Sequence, residues 1–369
     1  ELVEDMSYMF SYSSSITSLD LSAFDTANVE DMSYMFQNCG SMTSIDVSKF
    51  NTENVINMAG MFDYDISLTT LDVSNFITNK VTNMSDMFSN LIRLKSLDIS
   101  KFNTSQVTDM AFMFQNCKLL TVLDISNFNT ENVIDFSHTF ERCEKIKILD
   151  VSKFKTGKVE TFSYTFAYCM AITSLILSSF DTSQVTDMSY MFQYVSSVTS
   201  LDITNFNTGS VIDMKGMFQF CLKLQSIDVT NFDTSKVNDM YAMFQNNLVL
   251  TSLDLSHFNT KEVTDMGYMF RYSRALTSLD LTNFDTSKVT DMTHMFENCY
   301  NMKYFKAPAL VSSSVIDCSN MFENCIRFDS LDISKFDTSN VVYMNSMFYK
   351  MSGLSYIDVS MFKNNNLEN

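Results

Sequence analysis

VTDMSYMFQYVSSVTSLDITNFNTGS, residues Val185 to Ser210, changes its period at its midpoint. In the first half Met188, Met191, Phe192 and Val195 follow the i, i+3, i+4, i+7 spacing of a short amphipathic helix. In the second half Leu201 and Ile203 alternate with Ser200, Asp202 and Thr204, the pattern of a half-buried strand. Asp187, just before the apolar stripe, reads as a helix cap, and Asn207-Thr208 as the turn that leaves the strand. Such a unit cannot bury its own apolar face. Only stacking against copies of itself can.

The copies are present. Counting slots from the valine, Val3 to Val341 recur every 26 residues in 14 copies without an insertion, and Leu367 opens a fifteenth. The phenylalanine of slot 8 keeps the same step from Phe10 to Phe348. The expected fold is therefore an α/β right-handed solenoid, a horseshoe or arc of 14 repeats. Its parallel sheet would line the concave face and its short helices the convex face. Residues 1–369 are read as one such solenoid without terminal caps, a fragment of a longer chain.

Glycine and proline are scarce, at 7 and 1 residues, so no linker divides the chain. A net charge of −18 argues against nucleic acid and against anionic lipid. No apolar run approaches the roughly 18–20 residues of a membrane span. His138, His257 and His294 fall in different repeats with no convergent nucleophile or acid, so no enzyme and no cofactor is expected. Slot 11 holds Cys39, Cys117, Cys143, Cys169, Cys221, Cys299 and Cys325 but also Leu91 and Val195, which marks a small buried slot rather than a metal ligand. The methionines of slots 4 and 7 are read as core.

Slot 18 is the informative column. It carries Asp20, Asp46, Asp72, Asp98, Asp124, Asp150, Asp202, Asp228, Asp254, Asp280, Asp332 and Asp358. Lying between inward slots, these side chains point outward from the strand. A row of carboxylates about 5 Å apart needs counter-ions, hydroxyl partners or raised pKa values. Ser or Thr in slots 16 and 20 supplies hydroxyls in most copies. A weak Ca²⁺-binding strip is the sharper alternative.

Repeat arrays often bind where they break their own pattern, and two places do so. In the first, Lys145, Lys147 and Ile148 are followed one copy later by Ile176 in place of the aspartate, amid the basic run Arg142 to Lys158. In the second, Tyr304 and Lys306 take slots 16 and 18, with Pro308 and Leu310 beyond them. Both are candidate protein-binding patches. The aromatic and histidine residues of slot 6, such as Tyr8, Tyr34 and His138, either aid adhesion or shield the core edge.

The string L-T-S-L-D-L-S-x-F-D-T-S-x-V-T-D-M-S-x-M-F-x-x-C, well matched by Leu253 to Phe258 and Val263 to Phe270, resembles the 26-residue repeat of BspA-type leucine-rich-repeat surface proteins. That group includes mycoplasma and Gram-positive lipoprotein and cell-wall repeats, and the resemblance runs through the whole chain. It implies an extracellular leucine-rich-repeat module for adhesion, recognising host or neighbouring-cell proteins such as a matrix or serum protein. It carries no catalytic residue over. The rival reading is an acidic spacer or stalk with no ligand of its own.

Overall fold

The computed structural model describes residues 3–307, 313–333 and 335–363. Pro308, Leu310 and Leu367 lie outside them. Two compact units divide the chain, Glu1–Gln184 and Val185–Asn369. Within each unit the 26-residue step of the sequence is the step between stacked coils. Backbone bridges join slot 3 of one coil to slot 3 of the next in parallel register. They run from Asp5↔Asp31 to Asp135↔Thr161 in the first unit, and from Asp187↔Asp213 to Asp317↔Tyr343 in the second.

The segment expected to be helical is not a helix in any described coil; it is a string of tight turns. In the first coil the amides of Met9, Ser11 and Ser13 bond to carbonyls three residues back. The intervening amides of Met6, Tyr8, Phe10 and Tyr12 bond instead to Asp31, Ser33, Met35 and Gln37 of the next coil at 2.7–2.9 Å. A helix would have bonded the Phe10 and Tyr12 amides to carbonyls four residues back and left neither for the neighbouring coil. Alternating turns satisfy every amide and also tie coil to coil. The two patterns share one apolar face, which is why the spacing pointed to a helix.

The turn string requires a left-handed residue at slots 6 and 10. Positive φ occurs at Tyr8 (56°) and Tyr12 (60°), and again at Tyr34 and Asn38, Gly60 and Tyr64, and so along the chain. A positive φ at the third turn position is the type II requirement. No Val, Ile or Thr occupies these slots, as expected where a branched Cβ would clash.

The expected strands are extended, but few of them ladder. Among the described residues β1 (Ser200–Leu201), β2 (Ser226–Ile227), β3 (Ser278–Asp280) and β4 (Tyr304–Lys306) form sheet, as the parallel pairs β1–β2 and β3–β4, and a single bridge joins Leu331 to Ile357. The expected sheet along slots 16–20 is therefore replaced, through most of the described residues, by the slot 3 bridges and the turn string.

Inside each unit the side chains form rows. The slot 8 rings stack face to face at centroid distances of 5.7 Å for Phe36–Phe62 and 5.8 Å for Phe114–Phe140. Met32, Met35, Met58 and Met61 are wholly buried beside them. All eight cysteines are free and buried. Their thiols are used: Cys117 Sγ donates to the Phe88 carbonyl at 3.2 Å, and Cys221 Sγ to that of Phe192 at 3.2 Å. Ser273 and Asn247 do the same from slot 11. Burial pushes the Cys117 and Cys221 thiols up to about 12.

Slot 24 clamps neighbouring coils. Thr104 Oγ1 accepts the amide of Asn129 at 2.8 Å and donates to the carbonyl of the same residue at 2.9 Å. Thr52, Thr78 and Thr130 repeat this, all buried.

Candidate protein-interaction face

The outward aspartates of slot 18 are exposed, with Asp358 half-buried. Apart from Asp332, whose slot 20 neighbour lies outside the described residues, each turns back on its own chain. Asp98 Oδ1 accepts the amide of Ser100 at 3.1 Å and its hydroxyl at 2.7 Å. Asp150 does the same with Ser152 at 3.0 and 2.6 Å, and Asp228 with Thr230 at 3.0 and 2.7 Å. These slot 20 hydroxyl and amide bonds lower the pKa of Asp20, Asp46, Asp98, Asp150 and Asp228 rather than raise it. Of the three solutions open to a carboxylate row, the chain uses hydroxyl partners. Among the described residues no group of three or more His, Cys, Asp or Glu is disposed to hold a metal ion.

The slot 3 aspartates make a second row, and they are not helix caps. Asp187 Oδ1 accepts the Ser189 amide at 2.8 Å and Asp239 Oδ1 the Tyr241 amide at 2.8 Å, which is an Asx turn opening the turn string. Within this row, half-buried Asp109, Asp213 and Asp265 shift upward, opposite to the outer aspartates. Desolvation, against the bond from the Lys215 amide, lifts Asp213 to about 6, and the neighbouring Asp239 and Asp187 add to the rise.

The two pattern breaks fare differently. At the first, Ile148 and Ile176 are 79% and 55% exposed, and Val122, in slot 16 of the preceding coil, is 68% exposed. Lys147 and Ile148 line a shallow groove of about 540 Å³ with Val122, Asp124 and Asp150. Lys145 is exposed, and Ile176 stands outside the groove one coil further on. The rest of the basic run goes elsewhere. Arg142 lies over the Tyr168 ring, Lys153 bonds the Ser126 carbonyl, Lys155 pairs with Glu131 at 2.9 Å, and Lys158 bonds Asn132. A run that is continuous in sequence is thus scattered around the coil.

At the second, β3 and β4 place Lys306 opposite Asp280, Nζ to Oδ2 at 3.2 Å, with both side chains exposed. Such a pair is worth at most about 1 kcal/mol. Tyr304 is 69% exposed and lines a groove of about 410 Å³ with Ser278, Asp280, Lys303 and Ser330. Val122 and Tyr356, the latter 75% exposed, are further slot 16 departures that the sequence reading did not single out. Comparing that slot copy by copy would have found them.

The slot 6 side chains largely stack on one another. His138 lies between Phe112 and Tyr164 at 4.4 and 4.6 Å, and its Nδ1 is 2.7 Å from Glu141. Burial opposes the Glu141 charge, yet hydrogen bonds from His138 and Gln115 hold its carboxyl below the ordinary value.

Coils in parallel register at a fixed short period define a solenoid, the class of fold to which leucine-rich repeats belong. Within that class, the family described as "Mycoplasma protein of unknown function, DUF285" matches residues 1–97, 38–150, 64–172, 92–206, 134–227, 221–308 and 308–369, and the chain belongs to it. The resemblance to BspA-type repeats read from the sequence is in keeping with that membership. No curated protein matches. Among solved structures, the chain is similar to a leucine-rich repeat protein from Bacteroides ovatus (15% identity, 87% of this chain, 79% of that one, TM-score 0.39). It is also similar to a leucine rich cell surface protein from Faecalibacterium prausnitzii (16%, 80%, 79%, TM-score 0.36). A third likeness is to TLR13 in a complex with ssRNA13 (16%, 91% of this chain, TM-score 0.27), of which this chain spans about half, 49%. None of these scores reaches 0.5, and the fold assignment rests on the coil register of this chain itself. No helix among the described residues is long and apolar enough to cross a membrane.

Proposed function

We propose that this chain is a protein-interaction module displayed at the cell surface. Its contact face is the slot 16–18 row, where the row departs from Ser-x-Asp. The observation that carries this reading is the group Val122, Ile148 and Ile176, with 68%, 79% and 55% exposure on a face built mainly of serine and aspartate. Exposed apolar side chains gathered on a polar, rigid face are the usual mark of a contact surface. Tyr304 and Lys306 form a second, smaller contact. The extracellular setting and adhesion to host matrix or serum proteins come from the BspA-type resemblance. The test is capture of purified matrix and serum proteins by the native chain and by an Ile148→Asp/Ile176→Asp variant. Binding by the native chain that the variant loses supports the reading. The spacer reading is favoured by the outer aspartates' bonding to their own chain, and it predicts that neither form binds.

A further inference from the structure

Slots 12–15 of three successive coils, residues 92–95, 118–121 and 144–147, carry Arg93, Lys95, Lys118, Lys145 and Lys147 against one acid, Glu144. The same slots in the other coils of the first unit, residues 14–17, 40–43, 66–69 and 170–173, carry no charge at all. The coils are in register there, since the Thr121 amide bonds the Lys95 carbonyl at 3.3 Å. Arg93, Lys95, Lys145 and Lys147 are exposed and Lys118 is half-exposed. Among the described residues none of the five side chains has an ion-pair or hydrogen-bond partner. Most other lysines of this unit are tied down: Lys80, Lys101, Lys153, Lys155 and Lys158 each bond an amide, carbonyl or carboxylate oxygen, and Lys49 does not. Free cations persist on three coils of a chain with 43 acidic residues, directly beside Val122 and Ile148.

We infer that this basic strip and the apolar groove beside it form one docking surface for an extended, acidic protein segment that alternates carboxylate and apolar side chains. The inference rests on the interaction reading above and names the partner's chemistry. Charge complementarity selects an anion, because the five cations outnumber Glu144 and the Asp124 and Asp150 that line the groove, leaving this surface net positive on a chain of net charge −18. The groove selects a protein over a sulfated glycan, because a glycan has nothing to place against Val122 and Ile148. Coils about 4.8 Å apart make the strip about 10 Å long, which three or four extended residues cover.

The experiment is fluorescence anisotropy of labelled peptides titrated with the whole chain, in low salt and in buffer with about tenfold more salt. A Glu/Leu alternating peptide is expected to bind. A Glu/Ser peptide should bind about tenfold more weakly, and a Lys/Leu peptide not at all. Lys95→Glu/Lys145→Glu/Lys147→Glu should weaken the Glu/Leu peptide about tenfold or more and remove its salt dependence. All three sites are exposed, and a Lys→Ser triple variant with unchanged thermal stability controls for folding. Equal binding by the reversed variant overturns the inference. So does heparin binding to a chain that ignores the Glu/Leu peptide. If Ile148→Asp/Ile176→Asp loses a captured protein that the charge-reversed variant keeps, the acidic-partner inference falls while the interaction reading stands.

Discussion

Asp65 shows what a single residue can do in a repeated slot. It occupies slot 11, where most other coils have a thiol or hydroxyl, and it is wholly buried. Its Oδ1 accepts the Cys39 amide at 2.7 Å, while Oδ2 has no partner. Desolvation, with a contribution from Asp63 and against the Cys39 amide bond, lifts its pKa to about 8. A protonated carboxyl is therefore the folded form, presenting a donor where cysteine presents S–H. The unfolded chain releases that proton near pH 4. Between about pH 4 and 8 the folded state holds a proton that the unfolded state has lost, so rising pH costs stability until both are ionised. Asp65→Asn supplies a neutral donor. It should narrow the fall in melting temperature between pH 5 and pH 8; an unchanged fall would contradict the protonated assignment. Asp86, raised to about 7 by desolvation with Asp63 and Asp109, leaves a residual slope. At slot 24, Thr104→Val should cost about 1–3 kcal/mol in urea unfolding, because it strands the amide and carbonyl of Asn129.

At the scale of the element, the turn string explains what was legible and what was not. Rows and burial followed from the 26-residue step, since stacked coils align equal slots whatever their backbone. The backbone did not follow, because Met-x-x-Met-Phe presents the same face from a helix or from alternating turns. The missing signal lay in what slots 6 and 10 leave out: they hold tyrosine, asparagine, histidine, glycine and others, but never a β-branched residue. The binding face was half legible for a related reason. Lys145, Lys147 and Ile148 stood out as a linear run, whereas Arg93, Lys95, Lys118 and Val122 join them only through coil register. Two substitutions probe the element. Gly60→Ala should destabilise the first unit, since a Cβ there would sit 2.2 Å from the Tyr34 ring. Asn116→Val, at φ 58°, should cost more than Asn116→Gly by about 1–2 kcal/mol in the same assay.

At the scale of the whole molecule, each unit is a stack in which every coil depends on its neighbours. Replacing one slot 8 ring, Phe114→Ala, removes two stacking contacts and leaves a cavity, at a cost of about 3–5 kcal/mol. That cost should read out as loss of amide protection in the coils on either side, not in the altered coil alone. Bonding from coil to coil keeps an exposed slot in register along the stack, which is what a recognition face needs. The central claim is that slots 4–10 bond across coils rather than along a helix. Trans-hydrogen-bond scalar couplings in the deuterated protein test it most directly at Phe88, whose amide lies 3.0 Å from the Met113 carbonyl. The account predicts a coupling between Phe88 N and the Met113 carbonyl carbon; a coupling to the carbonyl of Met84, four residues back along the chain, would contradict it.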